Sequence, residues 1–215
     1  MDNNKLLRFA SIYSLAAAEK EELPENSKNL KVIKKNIEGL ETFNARKRYA
    51  EKNLKHLSSG SSRIVYLTSD KTVLKLAKND KGLAQNKAEA SPKVRSKYLN
   101  KILSYSEDFS WIETVYRKKI TEKQFKKQTG VDFDDFGDCI RYGLKSISKS
   151  EKEKPSIFED VSKSSIYKEM EEVGKKNKLM GGDLARISSW CTDGEKPILI
   201  DSGLTKDIFE KYYET

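Results

Sequence analysis

The chain has 215 residues, with 42 Lys and Arg against 33 Asp and Glu, a formal net charge of +9. That length suits one two-lobed domain or one domain with an extension, and ten Tyr, eight Phe and two Trp exclude wholesale disorder. The basic excess favours anionic partners such as nucleic acid, nucleotide phosphates or acidic protein surfaces, and lysines spread along a chain also serve solubility.

Cys139 and Cys191 form no Cys-x-x-Cys pair and His56 is the single histidine. Neither a four-ligand zinc site nor a disulfide framework is expected, and a reducing, cytoplasmic setting is the expectation. No apolar run approaches the roughly 20 residues that span a bilayer. The first residues mimic a signal peptide only faintly. Arg8, Ser11 and Ser14 interrupt the apolar stretch and Glu19, Glu21 and Glu22 follow it, so a short helix over 4–20 is the reading.

Asn26 and Ser27 are candidate caps for a second helix, in which Leu30, Ile33, Ile37 and Leu40 step by three, four and three onto one stripe. Residues 44–57 continue as a basic helix carrying Arg46, Lys47, Arg48, Lys52 and Lys55, a face for solvent or for nucleic acid. From Ser58 the texture changes to a small-residue turn, then RIVYL and TVLKLA, two β-branched runs around the polar TSDK. This predicts a hairpin. A helix over 79–90 should stop at Ser91-Pro92, because a residue before proline is pushed away from helical angles. Residues 93–103 read as a further short helix and WIETVY as a strand. Residues 119–180 read as mostly helical, with a polar loop at 148–156. A glycine-led loop, GGDLARISSW, then precedes PILI, a strand ending on Asp201, and KDIFEKYYE closes the chain as a helix.

The residues with chemical potential fall in an informative order. Lys75 sits inside the apolar strand VLKLA, where an ammonium is costly without a partner. Strict alternation puts Val73, Lys75 and Ala77 on one face, so Lys75 faces either a cleft or solvent. Glu89 follows fourteen residues later, within the next helix. Asp183 lies in the glycine-led loop and Asp201 at the end of the last strand, eighteen residues on.

In that order, turn, strand, strand with Lys, helix with Glu, strand, helices, Gly-Asp loop and strand ending Asp-Ser-Gly, residues 58–205 resemble the protein-kinase-like superfamily. The likeness is to its compact atypical members, the RIO kinases and aminoglycoside-phosphotransferase relatives, and to short kinase-like chains of bacteriophages. The resemblance implies an α+β, two-lobed fold. A helical extension (1–57) would precede a small antiparallel-sheet lobe (58–117) and a reduced helical lobe (118–215).

It also implies roles. Gly60, Ser61 and Ser62 would cover nucleotide phosphates with backbone N–H groups, beside Arg63. Lys75 would hold phosphates and pair with Glu89. Backbone groups of Glu113 and Val115 would meet the adenine. Asp183 would accept the substrate hydroxyl proton, and Asp201 would bind Mg2+. Ser188 stands where the family's Asn helps to hold the metal, and a serine hydroxyl reaches less far. Fourteen residues follow Asp201, too few for the activation segment and peptide platform of eukaryotic-type kinases. Three functions remain open from the sequence: an ATP- and Mg2+-dependent phosphotransferase, a pseudokinase serving as a binding or virion component, and a basic nucleic-acid-binding protein. The first two place it in a cytoplasm, or in a virion if phage-encoded, with no membrane association expected.

Overall fold

A computed structural model of the protein describes residues 29–145 and 153–214. They form the expected α+β fold, in two compact units. The first takes the described residues up to Ala90 together with Lys101–Tyr116, and the second takes Ser91–Asn100 and the chain from Arg117.

The first unit is built on a five-stranded antiparallel sheet in the order β1-β2-β3-β5-β4. Its strands are β1 (Lys55–Ser59), β2 (Arg63–Leu67), β3 (Thr72–Ala77), β4 (Ile102–Tyr105) and β5 (Trp111–Val115). The expected hairpin is β2 and β3, paired from Arg63↔Ala77 to Leu67↔Val73. Strand alternation sends Ile64, Tyr66, Leu74, Leu76 and Trp111 to one face. There helices α1 (Leu30–Glu38) and α2 (Phe43–Asn53) bury Ile33, Ile37, Ala50 and Leu54 against them. The opposite face, with Val65, Val73, Lys75 and Ile112, receives α3 (Asp80–Ala90).

Leu30, Ile33 and Ile37 are buried as the stripe predicts, while Leu40 lies beyond the helix end. The helix expected at 4–20 and the caps at Asn26 and Ser27 lie outside the described residues. The observed cap is Asn29, whose side chain accepts from the Val32 N–H at 3.2 Å.

Several elements differ from expectation, among them Gly181–Leu184, read as loop and observed as a short helix, and Trp190–Thr192, a strand that the sequence did not mark. Residues 55–57, read as a helix tail, open β1, because Leu54 leaves α2 in an extended conformation (φ −131°, ψ 152°) and the sheet offers a partner in β2. Residues 93–103, read as a helix, are an irregular segment leading into β4, whose edge position on β5 overrides the local helical preference of Lys and Leu.

The second unit is mainly helical: α4 (Glu122–Thr129), α5 (Phe133–Gly143), α6 (Phe158–Val161), α7 (Ser165–Asn177), α8 (Gly181–Leu184) and α9 (Lys206–Tyr213). A small antiparallel sheet of β6 (Lys118–Lys119), β7 (Trp190–Thr192) and β8 (Pro197–Leu199) accompanies them. Thr121 and Gln124 make a reciprocal capping box on α4. The core centres on Phe125, which meets Phe133 and Trp190 edge-on at ring separations of 4.9 and 5.7 Å. Residues 91–100 are stitched into this unit. Asn177 bonds both backbone groups of Val94 at 2.9 and 2.8 Å. The Leu199 N–H donates to the Tyr98 carbonyl at 2.6 Å, and the Asn100 N–H donates to the Leu199 carbonyl at 3.0 Å.

Candidate functional site

Lys75 faces inward. It is 1% exposed, and its ammonium lies 2.5 Å from Glu89 Oε1. The second oxygen of Glu89 takes Arg63 at 2.7 Å, so one buried carboxylate joins two strands and a helix. Asn86, fully buried one turn before Glu89, completes the cluster. Its Oδ1 accepts from Arg63 at 3.3 Å, and its Nδ2 donates to the carbonyls of Lys75 and Phe109 at 3.3 and 2.9 Å. The sequence reading passed over Asn86 and Gln85. Their signal was nonetheless present, since Gly82, Gln85, Asn86 and Glu89 share one face of α3 and all are buried.

The Gly60–Ser62 turn joins β1 to β2, and the Gly60 N–H donates to the Arg63 carbonyl at 2.9 Å. Ser62 is buried and its hydroxyl donates to Gln85 Oε1 at 2.7 Å, whereas Ser61 is exposed.

Glu113 and Val115 are committed to the sheet. Glu113 lies in an interior strand, paired with Leu74 on one side and Ser104 on the other. Its carboxylate accepts from Thr72 at 2.6 Å, Ser104 at 2.8 Å and Lys34 at 2.9 Å. Burial pushes this carboxyl up, but the three donors outweigh it and hold the group below its ordinary value. The Val115 N–H donates to the Lys101 carbonyl at 3.2 Å.

In the second unit, Asp183 sits in α8 with its carboxylate 3.6 Å from Arg186. Ser188 belongs to a single 3-10 turn, Ile187–Ser189. Asp201 follows β8. The hairpin register explains how distant residues meet: Trp190 pairs with Leu199, and the Ile200 N–H donates to the Ser189 carbonyl at 2.9 Å. Ser188 and Asp201 each lie one residue from that bond. Two bonds tie α8 to this hairpin and to the chain after it: the Trp190 indole donates to the Leu184 carbonyl at 2.8 Å, and the Met180 N–H donates to the Leu204 carbonyl at 3.3 Å. Asp183, Ser188 and Asp201 are thus carried by one connected substructure. Among the described residues no group of three His, Cys, Asp or Glu side chains forms a metal cage.

The basic stretch of α2 is partly used within its own unit. Arg46 donates to the Leu40 carbonyl at 2.7 Å and pairs with Asp108 at 3.0 Å, and Lys47 lies 3.6 Å from Glu51. Among the described residues no helix is long and apolar enough to cross a membrane.

No protein-family model and no curated protein matches the chain. Among solved structures, aminoglycoside phosphotransferase APH(2'')-Ib in its ADP-bound form is similar at 22% identity and a TM-score of 0.27, over 53% of this chain and 42% of that one. This chain therefore matches less than half the length of that structure.

Proposed function

We propose that the protein is a kinase-like, ATP-binding phosphotransferase of low activity. The observation that carries the reading is the buried ion pair between Lys75 on β3 and Glu89 on α3. Replacing such a pair by well-packed apolar residues is often neutral or stabilising, so stability alone is a poor reason to keep it. A lysine oriented by a helix carboxylate is, by contrast, what a nucleotide's phosphate oxygens require.

On this reading the Gly60–Ser62 turn covers the phosphates and Asp183 takes the acceptor's hydroxyl proton. The adenine is met by the chain beyond Val115, since β5 itself is engaged in the sheet. Magnesium is commonly held by one or two carboxylates, waters and substrate phosphates. Asp201 would supply such a carboxylate, which suits an ion that arrives with the nucleotide, because no cage of three His, Cys, Asp or Glu side chains is found among the described residues. Bound there, Mg2+-ATP would supply the phosphoryl group and neutralise its charge.

Calorimetric titration of ATP with and without magnesium tests the proposal. Tighter binding with magnesium is expected, with the difference lost in Asp201→Ala and both affinities lowered in Lys75→Met. A wild type that binds no ATP overturns the reading. Ser188 favours a second reading, a binding module without turnover, because its hydroxyl is one heavy atom shorter than an Asn amide oxygen. Phosphate transfer that rises in Ser188→Asn supports the enzyme, whereas wild type and variant both at background with ATP still bound selects the module.

A further inference from the structure

We infer that Gln85 is a positioning residue that gears the Gly60–Arg63 turn to helix α3, so that turn and helix meet a nucleotide's phosphates as one body. The inference rests on the nucleotide-binding reading above and names a control built into that site.

Four successive residues of the turn are fastened to the segment from Lys78 to Glu89. The Gly60 carbonyl accepts from the Lys78 ammonium at 2.8 Å, and the Ser61 carbonyl accepts from Asn79 Nδ2 at 3.0 Å. The Ser62 carbonyl accepts from the Lys78 N–H at 2.8 Å, while the Ser62 hydroxyl donates to Gln85 at 2.7 Å. Arg63 then reaches Asn86 and Glu89. Asn79 also accepts from the Gly82 N–H at 3.2 Å, so the residue that holds Ser61 is also bonded to the start of α3.

The approach is close enough to require glycine. A Cβ on Gly82 would lie 2.2 Å from the Ser62 carbonyl oxygen and 3.0 Å from Ala77 Cα. Two consequences follow. First, in a trans peptide the N–H points opposite to the preceding carbonyl. Drawing the Gly60 and Ser61 carbonyls toward the Lys78 and Asn79 side chains therefore turns the N–H groups of Ser61 and Ser62 away from those side chains, leaving successive donors of the polarity an anion needs. Second, the Ser62–Gln85 bond is buried, with both residues 6% exposed, so water does not readily replace a lost partner. The turn cannot swing as a free flap without breaking that bond, and a displacement of α3 that releases Lys75 also re-aims the turn.

The test is amide hydrogen exchange on the full chain, alone and with Mg2+-ATP, together with ATP affinity, for wild type, Gln85→Ala, Gln85→Glu and Ser62→Ala. In wild type, ATP should slow exchange both at Ser61–Arg63 and through α3. Gln85→Ala should bind ATP about tenfold more weakly, exchange faster at the turn without nucleotide, and lose the ATP-dependent protection of α3. Gln85→Glu keeps an acceptor oxygen at the same reach and should recover affinity to within about twofold of wild type, a rescue that general destabilisation would not give. Ser62→Ala removes the same bond from the other side and should reproduce Gln85→Ala. ATP binding in wild type with protection confined to the turn overturns the gearing alone, as does unchanged affinity in both alanine variants. A wild type that binds no ATP overturns the function as well, which separates the two failures.

Discussion

Glu89 serves two cations with a single carboxylate, in a place where all three side chains are almost wholly buried. Glu89→Gln leaves two buried positive groups around a neutral amide, and it should cost about 3–5 kcal/mol in urea denaturation. Lys75→Met keeps the length and removes one charge, so it should cost less. Much of this pairing was legible in the sequence, because a lysine amid apolar strand residues demands a partner and Glu89 lies on the next helix. Arg63 was not legible as part of it, since an arginine after a serine-rich turn reads the same whether it is exposed or buried. The side-chain bonds of Glu113 were not legible for a related reason: its strand position was clear, but the Lys34, Thr72 and Ser104 donors come from three other elements. Its folded-state pKa is lowered from 4.5, so the stability it contributes is full above that value and is lost as pH falls through the folded pKa. Urea midpoints should therefore fall more steeply below about pH 4.5 in wild type than in Glu113→Gln.

The hairpin of β2 and β3 and the helix stop at Ser91-Pro92 were readable because β-branched runs and proline act locally. Strands β1 and β4 were not, because residues 55–59 and 102–105 become strands only through partners elsewhere in the sheet. The eighteen-residue gap between Asp183 and Asp201 was visible as a spacing, but its cause, the β7–β8 hairpin register, was not. Helix α1 offers a measurement of how far the N-terminal helices belong to the sheet. Ile37 is fully buried against Leu74 and its neighbours, whereas Val32 is 49% exposed. Ile37→Ala should destabilise the protein by about 2–5 kcal/mol, while Val32→Ala should stay within about 0.5 kcal/mol. Equal, small effects would show that α1 rests loosely on the sheet.

Neither unit is a continuous stretch of chain. Residues 91–100 leave the sheet unit, supply Tyr98 to the helical unit's core and the Asn100 bond to Leu199, and the chain then returns as β4 and β5. A fragment of residues 29–116 holds every described element of the sheet unit and should give cooperative thermal unfolding on its own. A fragment of 117–215 lacks Val94, Tyr98 and Leu99, and should bind a hydrophobic dye and melt without a sharp transition. Sharp melting of the second fragment would show that the inserted segment is dispensable.

The same interruption sets a timetable during synthesis. Everything the sheet needs has been made once residue 116 is added, but the helical unit waits for β8 and α9, roughly 100 residues later. At about 5–20 residues per second, that interval is on the order of 5–20 s. Residues 91–100 are therefore held as a loop between finished elements well before their partners Asn177 and Leu199 exist. In a growing chain Val94, Tyr98 and Leu99 stay wet for those seconds, until the helical unit's core forms around them.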